Sequence, residues 1–511
     1  MDAATTVVPW LGWTVPVTLL CIVITLLYLY GTWTHTTWSS AGVSGPKPLP
    51  FLGNIGEINK KGFFHCLQEW GKQYGKMYGI YFMHRPLLMT TDVDILKEVF
   101  IKDFADFPDR LNANPLQPYP VNQGLIGVTG DRWRRQRHTL TPTFSTSKLK
   151  AMNKFITRCC HNLIAAMRKN TEEGKLLDVK QMYGSFTLDV ICGTAFGFET
   201  NALGHEDNVF LNNVKAIFAE ARVFKVGNII AAVFPFTIPF FKWLGYSSMP
   251  KKEARFITET IRSAIETRRK DGGKGRVDLL QLMLDAEATG SEIAGNPQEK
   301  RLTTDEIIGQ GFTVFIAGYE TTATTLQYLT YLLALNPDKQ EKLYREIVDT
   351  IGNAEPTYDN VTSIKYLDSC VREALRCFPP AALTSRGALA EKTIKGVKIP
   401  AGAGVGVPII GLMRDEEFFP EPDKFIPERF DDENKDAIPS IVREMVFGAG
   451  PRQCIGMRLA LYEAKMAVVT VVRQFKFVKV PETPDEITFR PGFALALPLR
   501  PVLVGTQLRE A

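Results

Sequence analysis

The chain has 511 residues, 45% of them hydrophobic and 23% charged, with a net charge of +5. That length buries one large core or a few ordinary ones, and the balance is globular rather than disordered. So mild a charge argues against nucleic acid as a main partner, and eight cysteines without a C-x-x-C exclude a disulfide scaffold and fit a reducing, cytosol-facing compartment.

After Asp2 no charged residue occurs until Lys47, and Val7 to Trp33 is mostly apolar. Trp10 and Trp13 mark one end of this stretch and Tyr28, Tyr30 and Trp33 the other, as interface aromatics do. About 20 apolar residues span a bilayer. No basic run precedes the stretch and no small-x-small cleavage site is evident, so residues 1–33 are expected to be an uncleaved anchor rather than a signal peptide. Lys47, Lys60 and Lys61 beyond it place the bulk of the chain in the cytosol by the positive-inside rule. "GPKPLPFLGN" follows, and its alternate prolines make residues 34–50 a stiff, extended connector.

"KMYGIYFMHRPLLMTTD" reads as a β-hairpin turning around His84, Arg85 and Pro86. From Asp131 onward helical periodicity dominates, beginning with "RWRRQR", where Arg134 and Arg135, with Lys148, read as a solvated basic face. Asn228 to Gly245 is apolar but broken by Pro235 and Pro239, so it is expected to touch a membrane surface without spanning it. "KDGGKGRVD", Lys270 to Asp278, reads as a flexible linker.

The longest helix is expected from Thr303 to Leu335, with Thr303-x-x-Glu306 as its capping box and Asn336-Pro337 as its stop. Glu320, Gln310, Gln327 and many threonines make a bilayer costly for it, so it is read as a central core helix. Ala317 and Thr321 share one of its faces, Gly318 leaves space beside them, and Glu320 adds an acid close by. The plain alternative is a threonine-rich core helix whose hydroxyls bond back to i−4 carbonyls. Further on, Glu373 and Arg376 stand i,i+3 on a helix with an apolar stripe of Ile364, Leu367, Val371 and Leu375, ended by Pro379. On a surface such a pair contributes little; buried, it would need a third partner such as Arg429.

"FGAGPRQCIG", Phe447 to Gly456, sets Cys454 in a glycine-rich loop at the start of a helix. Helix N–H groups aimed at the sulfur favour thiolate. With no Cys or His at metal spacing nearby, zinc is disfavoured, whereas one thiolate on an iron porphyrin is a known arrangement. Arg452 could hold a porphyrin carboxylate with its bidentate fork.

These motifs resemble the cytochrome P450 superfamily. The Phe447–Gly456 stretch is similar to its haem-binding loop, "REALR" to its K-helix pair, "FIPERF" to the Arg429 segment, "AGYETT" to its oxygen-binding segment, and "RWRRQR" to its C-helix Trp133-x-x-x-Arg137. "RVDLLQLMLD", "FIAGYETT" and "PTYDNV" look closest to the clan of the drug-oxidising family 3 enzymes and thromboxane synthase. The resemblance implies a mainly α fold with a smaller β-rich part over residues 51–511, preceded by one transmembrane helix. It implies haem b on the thiolate of Cys454, within the Phe447 loop and beside Ala317, with Trp133, Arg137, Arg386 and Arg452 on the propionates. O₂ would be the co-substrate, and Glu320 and Thr321 would guide protons to it. Glu373, Arg376 and Arg429 would form a structural triad, and Leu116, Leu125, Ile126, Phe224, Phe315, Ile316, Ala381, Ala382 and Leu495 would contact substrate.

The implied activity is a monooxygenase in the endoplasmic reticulum membrane, acting on a lipophilic small molecule. No glycine-rich dinucleotide fingerprint is present, so an NADPH-dependent reductase flavoprotein is the implied electron donor, with cytochrome b5 as a second one. An endoperoxide isomerase would not need the Glu320–Thr321 pair, and a non-catalytic haem carrier would need neither that pair nor a basic reductase face.

Overall fold

The computed structural model describes residues 10–111, 115–205, 207–220, 225–272, 278–287, 301–492 and 494–509. The side chains of Trp10 and Trp13, Phe224, and residues 273–277 of the expected linker lie outside the described residues.

The first helix, α1 (Trp10–Thr32), contains a span from Thr14 to Thr32 long and apolar enough to cross a membrane. Its C-terminal end packs against the rest of the chain, where Tyr30 Oη donates to the Val233 carbonyl at 2.6 Å and its ring stacks on Phe234 at 5.5 Å. Residues 34–50 are not extended throughout: Thr37–Ser40 form a short helical turn that packing holds in place. Trp38 is buried and donates from Nε1 to the Ile80 carbonyl at 3.2 Å.

The hairpin is present as β1 (Met77–Phe82) and β2 (Arg85–Thr90), antiparallel around Met83 and His84. With β3 (Leu383–Gly387) and β4 (Gly404–Pro408) it forms a sheet of order β1-β2-β4-β3, in which β2 and β4 run parallel. The rest of the fold is mostly helical: α2 (Gly130–Leu140), α3 (Thr146–Glu172), α4 (Val179–Ile191), α5 (Val226–Val233), α6 (Ile238–Trp243), α7 (Lys251–Asp271), α8 (Thr304–Leu335), α9 (Lys365–Cys377) and α10 (Met457–Val472).

Helix α8 is the axis of the core. Its capping box is complete: Glu306 N–H donates to Thr303 Oγ1 at 3.1 Å and Thr303 N–H to Glu306 Oε2 at 3.0 Å. At roughly 1.5 Å per residue its 32 residues cross about 48 Å. Nearly all its apolar side chains are buried, each stabilising the fold by about 1.5–3 kcal/mol. The burial breaks in mid-helix, where Ala317 is exposed and Gly318 and Thr321 are half-buried.

Two further expectations are corrected here. Arg135 is not on a solvated face: it is buried and bonds both oxygens of Glu306, with Nη1···Oε2 at 3.0 Å and Nη2···Oε1 at 2.5 Å. A carboxylate that caps a buried helix needs a cation, and α2 supplies it. The Lys270–Asp278 linker is also shorter than expected. Lys270 and Asp271 end α7, while Asp278 is buried, caps the next helix and pairs with Arg268 at 3.0 Å.

Candidate active site

The loop before α10 is shaped by glycine at one position above all. Gly450 has φ +70°, and a Cβ there would lie 1.8 Å from the Phe100 carbonyl oxygen, so no other residue fits. The loop closes through Cys454 N–H, which donates to the Phe447 carbonyl at 2.8 Å. Helix α10 begins at Met457 with Gly456 as its N-cap, two residues later than Ile455, and the N–H groups of Gly456 and Met457 serve the sulfur.

Cys454 lies deep in the protein yet is exposed, because its thiol opens onto an internal cavity. Burial pushes the thiol pKa up, and the Gly456 and Met457 N–H groups with Arg110 and Arg137 offset this only in part. The helix start therefore does not by itself favour thiolate, as the sequence suggested; a cation on the sulfur must displace the proton.

The cavity has a volume of about 210 Å³. Ala317, Gly318 and Thr321 line it where α8 breaks its burial, and Cys454 lines it too. Leu125 and Ile126 close one side, Trp133 and Arg137 another. The lining is mostly apolar, and Arg110, Arg137 and Arg452 add guanidinium groups to it.

Those guanidinium groups carry more positive charge than the protein neutralises. Arg452 pairs with Asp109 and lies over the Trp133 ring at 4.0 Å, while Arg137 Nη1 donates to the Gln453 carbonyl at 2.8 Å. Arg386 is fully buried, lies over the Phe100 ring at 4.5 Å, and donates to the Ser385 carbonyl at 2.9 Å. Burial, then repulsion from Arg110 and Arg452, brings its pKa down to about 9. Burial likewise brings Arg452 down to about 10 despite Asp109. The Nε atoms of Arg110 and Arg386 are buried without a hydrogen-bond partner among the described residues. Such a cluster calls for an anion with more than one carboxylate.

Arg110 is the member that sequence reasoning missed. It lies in an irregular loop, in "FPDRLN", with no periodicity to single it out. Its guanidinium reaches the Arg452 carbonyl at 3.3 Å and its charge acts on Cys454.

The cavity brings together Trp133, Arg137, Ala317, Thr321, Arg452, Cys454, Leu125 and Ile126, with Arg386 and Phe447 just behind it. Other expected contacts face elsewhere. Glu320 turns to Lys180, an ion pair also reached by Thr324 Oγ1 at 3.3 Å. Phe315 packs against Phe196 and Phe210, because 200° of helix rotation separates it from Ala317 by about 160°. Ile316 packs into the core, and Leu116 is buried beside a different cavity. Ala381 pairs with Leu495 in an isolated antiparallel bridge, and that pairing turns Ala382 fully into the core.

Thr321 Oγ1 donates to the Ala317 carbonyl at 2.7 Å, the back-bond of an ordinary threonine, but its side faces the cavity. Glu373 and Arg376 are fully buried and doubly bonded at 2.7 and 2.8 Å. Arg429 Nε stands 3.4 Å from Glu373 Oε1, near enough to pair but not aligned as a hydrogen bond.

A cysteine in a mostly apolar cavity, lined also by the break in the core helix and by under-neutralised arginines, fits an iron porphyrin dicarboxylate. That defines a haem-thiolate protein. The chain belongs to the cytochrome P450 family, whose profile matches residues 43–504. It is 38% identical over 496 residues to cytochrome P450 3A29 of Sus scrofa, with 96% of each chain covered. It is 37% identical to cytochrome P450 3A7 of Homo sapiens over 497 residues and to cytochrome P450 3A12 of Canis lupus familiaris over 500, again with 96% of each chain covered. The protein is thus a P450 monooxygenase that uses thiolate-bound haem and O₂.

Proposed function

We propose that this protein inserts one oxygen atom from O₂ into a lipophilic organic molecule of xenobiotic, steroid or fatty-acid type, at the cytosolic face of the endoplasmic reticulum membrane. The carrying observation is the cavity itself, which Cys454 and the Ala317–Thr321 face of α8 line together. Haem bound there supplies oxygen activation and electron acceptance.

The protein's own residues do the rest. Cys454 Sγ would hold the iron, and Arg110, Arg137, Arg386 and Arg452 would hold the propionates. Leu125 and Ile126 keep the substrate side apolar and exclude water. Thr321 Oγ1 can leave the Ala317 carbonyl to hold a proton at the cavity wall. Glu320 supports it from behind while paired to Lys180.

Electrons come from an NADPH-dependent reductase, with cytochrome b5 as a second donor, docking on the basic side near Arg134 and Lys148. Helix α1 anchors the chain, and the α5–α6 segment makes a second, shallow membrane contact. Phe236, Phe240 and Trp243 stand 79, 55 and 80% exposed there, and the two helices bend by 119°.

The test is reconstitution of the full-length holoprotein with reductase, NADPH and a panel of lipophilic compounds. Product carrying label from ¹⁸O₂, formed only with reductase present, is the expected result. Turnover of an endoperoxide without reductase or O₂ would overturn it in favour of an isomerase.

A further inference from the structure

A second cavity, of about 550 Å³, lies outside the haem site. The segment 116–122, the end of α6 and the first turns of α7 enclose it. Every charged residue in its lining is a cation: Lys242, Lys251 and Arg255. Arg255 is matched by Glu259 at 2.8 Å, and Tyr119 on the opposite wall bonds Asp305. Lys242 and Lys251 have no carboxylate at ion-pair distance among the described residues. The Lys251 ammonium folds back over the turn at Gly245, 3.2 Å from where a Cβ would stand. Helix α7 starts beside it with Pro250 as N-cap and no side-chain cap, so its free N–H groups add positive character.

What flanks the cavity is apolar. Trp243 and Leu244 follow Lys242 directly and stand 80 and 56% exposed, and Phe240 precedes it. This run continues from the α5 end on which Tyr30 of the anchor is seated. Two unpaired cations beside exposed rings, joined to a membrane anchor, match the layering of a lipid: phosphate at one level, acyl chains below. A soluble phosphate would have no use for the rings.

We propose that this cavity binds the headgroup phosphate of an anionic phospholipid, with Lys242 and Lys251 supplying the charge and the acyl chains lying along Phe240 and Trp243. The proposal rests on the α5–α6 membrane contact proposed above. Bound lipid would brace the start of α7 against segment 116–122, beside the Leu125–Ile126 wall of the haem cavity.

Full-length holoprotein reconstituted in vesicles tests it with two readouts. Radical oxidation of Phe236, Phe240 and Trp243 reports the membrane contact; acetylation rates of Lys242 and Lys251 report the cavity, with Lys252, outside the lining, as internal control. Replacing phosphatidylcholine by a phosphatidylserine mixture should slow Lys242 and Lys251 about fivefold each relative to Lys252, as about one lysine–lipid contact predicts. The difference should fade in high salt, and Lys251→Gln should remove most of it at Lys242. Protected rings with lysine rates equal in both lipids overturn the lipid site and leave the membrane contact standing. Unprotected rings overturn both. Equal slowing by inorganic phosphate in phosphatidylcholine vesicles marks a free-anion site and overturns the lipid assignment.

Discussion

Lys180 on α4 and Glu320 on α8 form an ion pair one residue along the chain from Thr321, so two adjacent side chains of the sequence face opposite ways. Glu320 is almost fully buried, while Lys180 still reaches solvent. The acid therefore stands behind the cavity wall and the alcohol in front of it.

Substitution separates the two roles. Glu320→Gln strands a half-buried ammonium, and because Lys180 keeps some water the cost should be about 1–3 kcal/mol, below that of a fully buried pair. Thermal unfolding of the holoprotein reads this. Thr321→Ala should leave stability nearly unchanged but divert NADPH-derived electrons from product to peroxide. If Glu320→Gln uncouples as strongly as Thr321→Ala with no loss of stability, the acid acts inside the cavity and not through Lys180.

The arginine cluster makes a second prediction. Arg110, Arg137 and Arg452 line the cavity with Arg386 behind them, and Asp109 is the carboxylate bonded among them. Bound propionates relieve that repulsion, so haem should stabilise the fold well beyond its apolar contacts. Arg110→Gln should weaken haem retention about tenfold, the loss of one charge-assisted hydrogen bond. Transfer of haem to excess apomyoglobin measures it. Unchanged transfer in Arg110→Gln would remove Arg110 from the site.

The difference between Arg110 and Arg452 shows what the sequence made legible. Arg452 sits in a loop whose glycines, cysteine and following helix each carry a physical signature. The α8 capping box and the β1–β2 hairpin are local in the same sense. Arg110 with Arg452 and the Lys180–Glu320 pair join residues distant in the chain, and no local pattern names such partners. Phe315 was different: helix geometry alone sets it opposite Ala317, and the site it was expected to join lies on the wrong face.

Glu306 links the start of α8 to α2, which carries Trp133 and Arg137. Burial alone would raise its pKa, but hydrogen bonds from Arg135, Thr303 N–H and Arg132 outweigh that and hold it below the usual carboxylate value. A depressed carboxylate contributes its stability in full above its unfolded pKa, near 4.3, and loses it as pH falls through the lower folded value. The holoprotein should thus lose stability below about pH 4.3. Glu306→Gln should be less stable at neutral pH and show a flatter acid limb when unfolding is followed by circular dichroism across the acid range.

The Glu373–Arg376–Arg429 triad should respond unequally to its members. Glu373 accepts from the buried Arg376 and from the part-buried Ile426 N–H at 2.9 Å. Glu373→Gln leaves Arg376 charged and unpaired, at a cost of about 3–5 kcal/mol. Little haem-loaded protein should then accumulate. Arg429 pairs at 3.4 Å and is bonded mainly to the Glu421 carbonyl at 2.9 Å, so Arg429→Lys should cost far less. Haem content per protein after expression ranks the two.

The last prediction concerns the anchor. A transmembrane helix on a loose tether would let the catalytic domain tumble over the bilayer. Here the helix end is bound: Tyr30 bonds Val233 and stacks on Phe234, the Gly31 carbonyl accepts from Phe51 N–H at 3.0 Å, and Thr34 Oγ1 donates to the His84 carbonyl at 2.6 Å. These contacts join the end of α1 to both the hairpin and the α5–α6 segment, so they are expected to hold the domain at one angle. Tyr30→Ala removes the hydrogen bond and the stacked ring together, about 1–2 kcal/mol of the junction. In oriented nanodiscs, polarised absorption of the haem should show one narrow tilt for the wild-type chain and a broader spread for Tyr30→Ala, with haem content unchanged. An equally narrow tilt in the variant would mean that the α5–α6 contact sets the angle without the anchor.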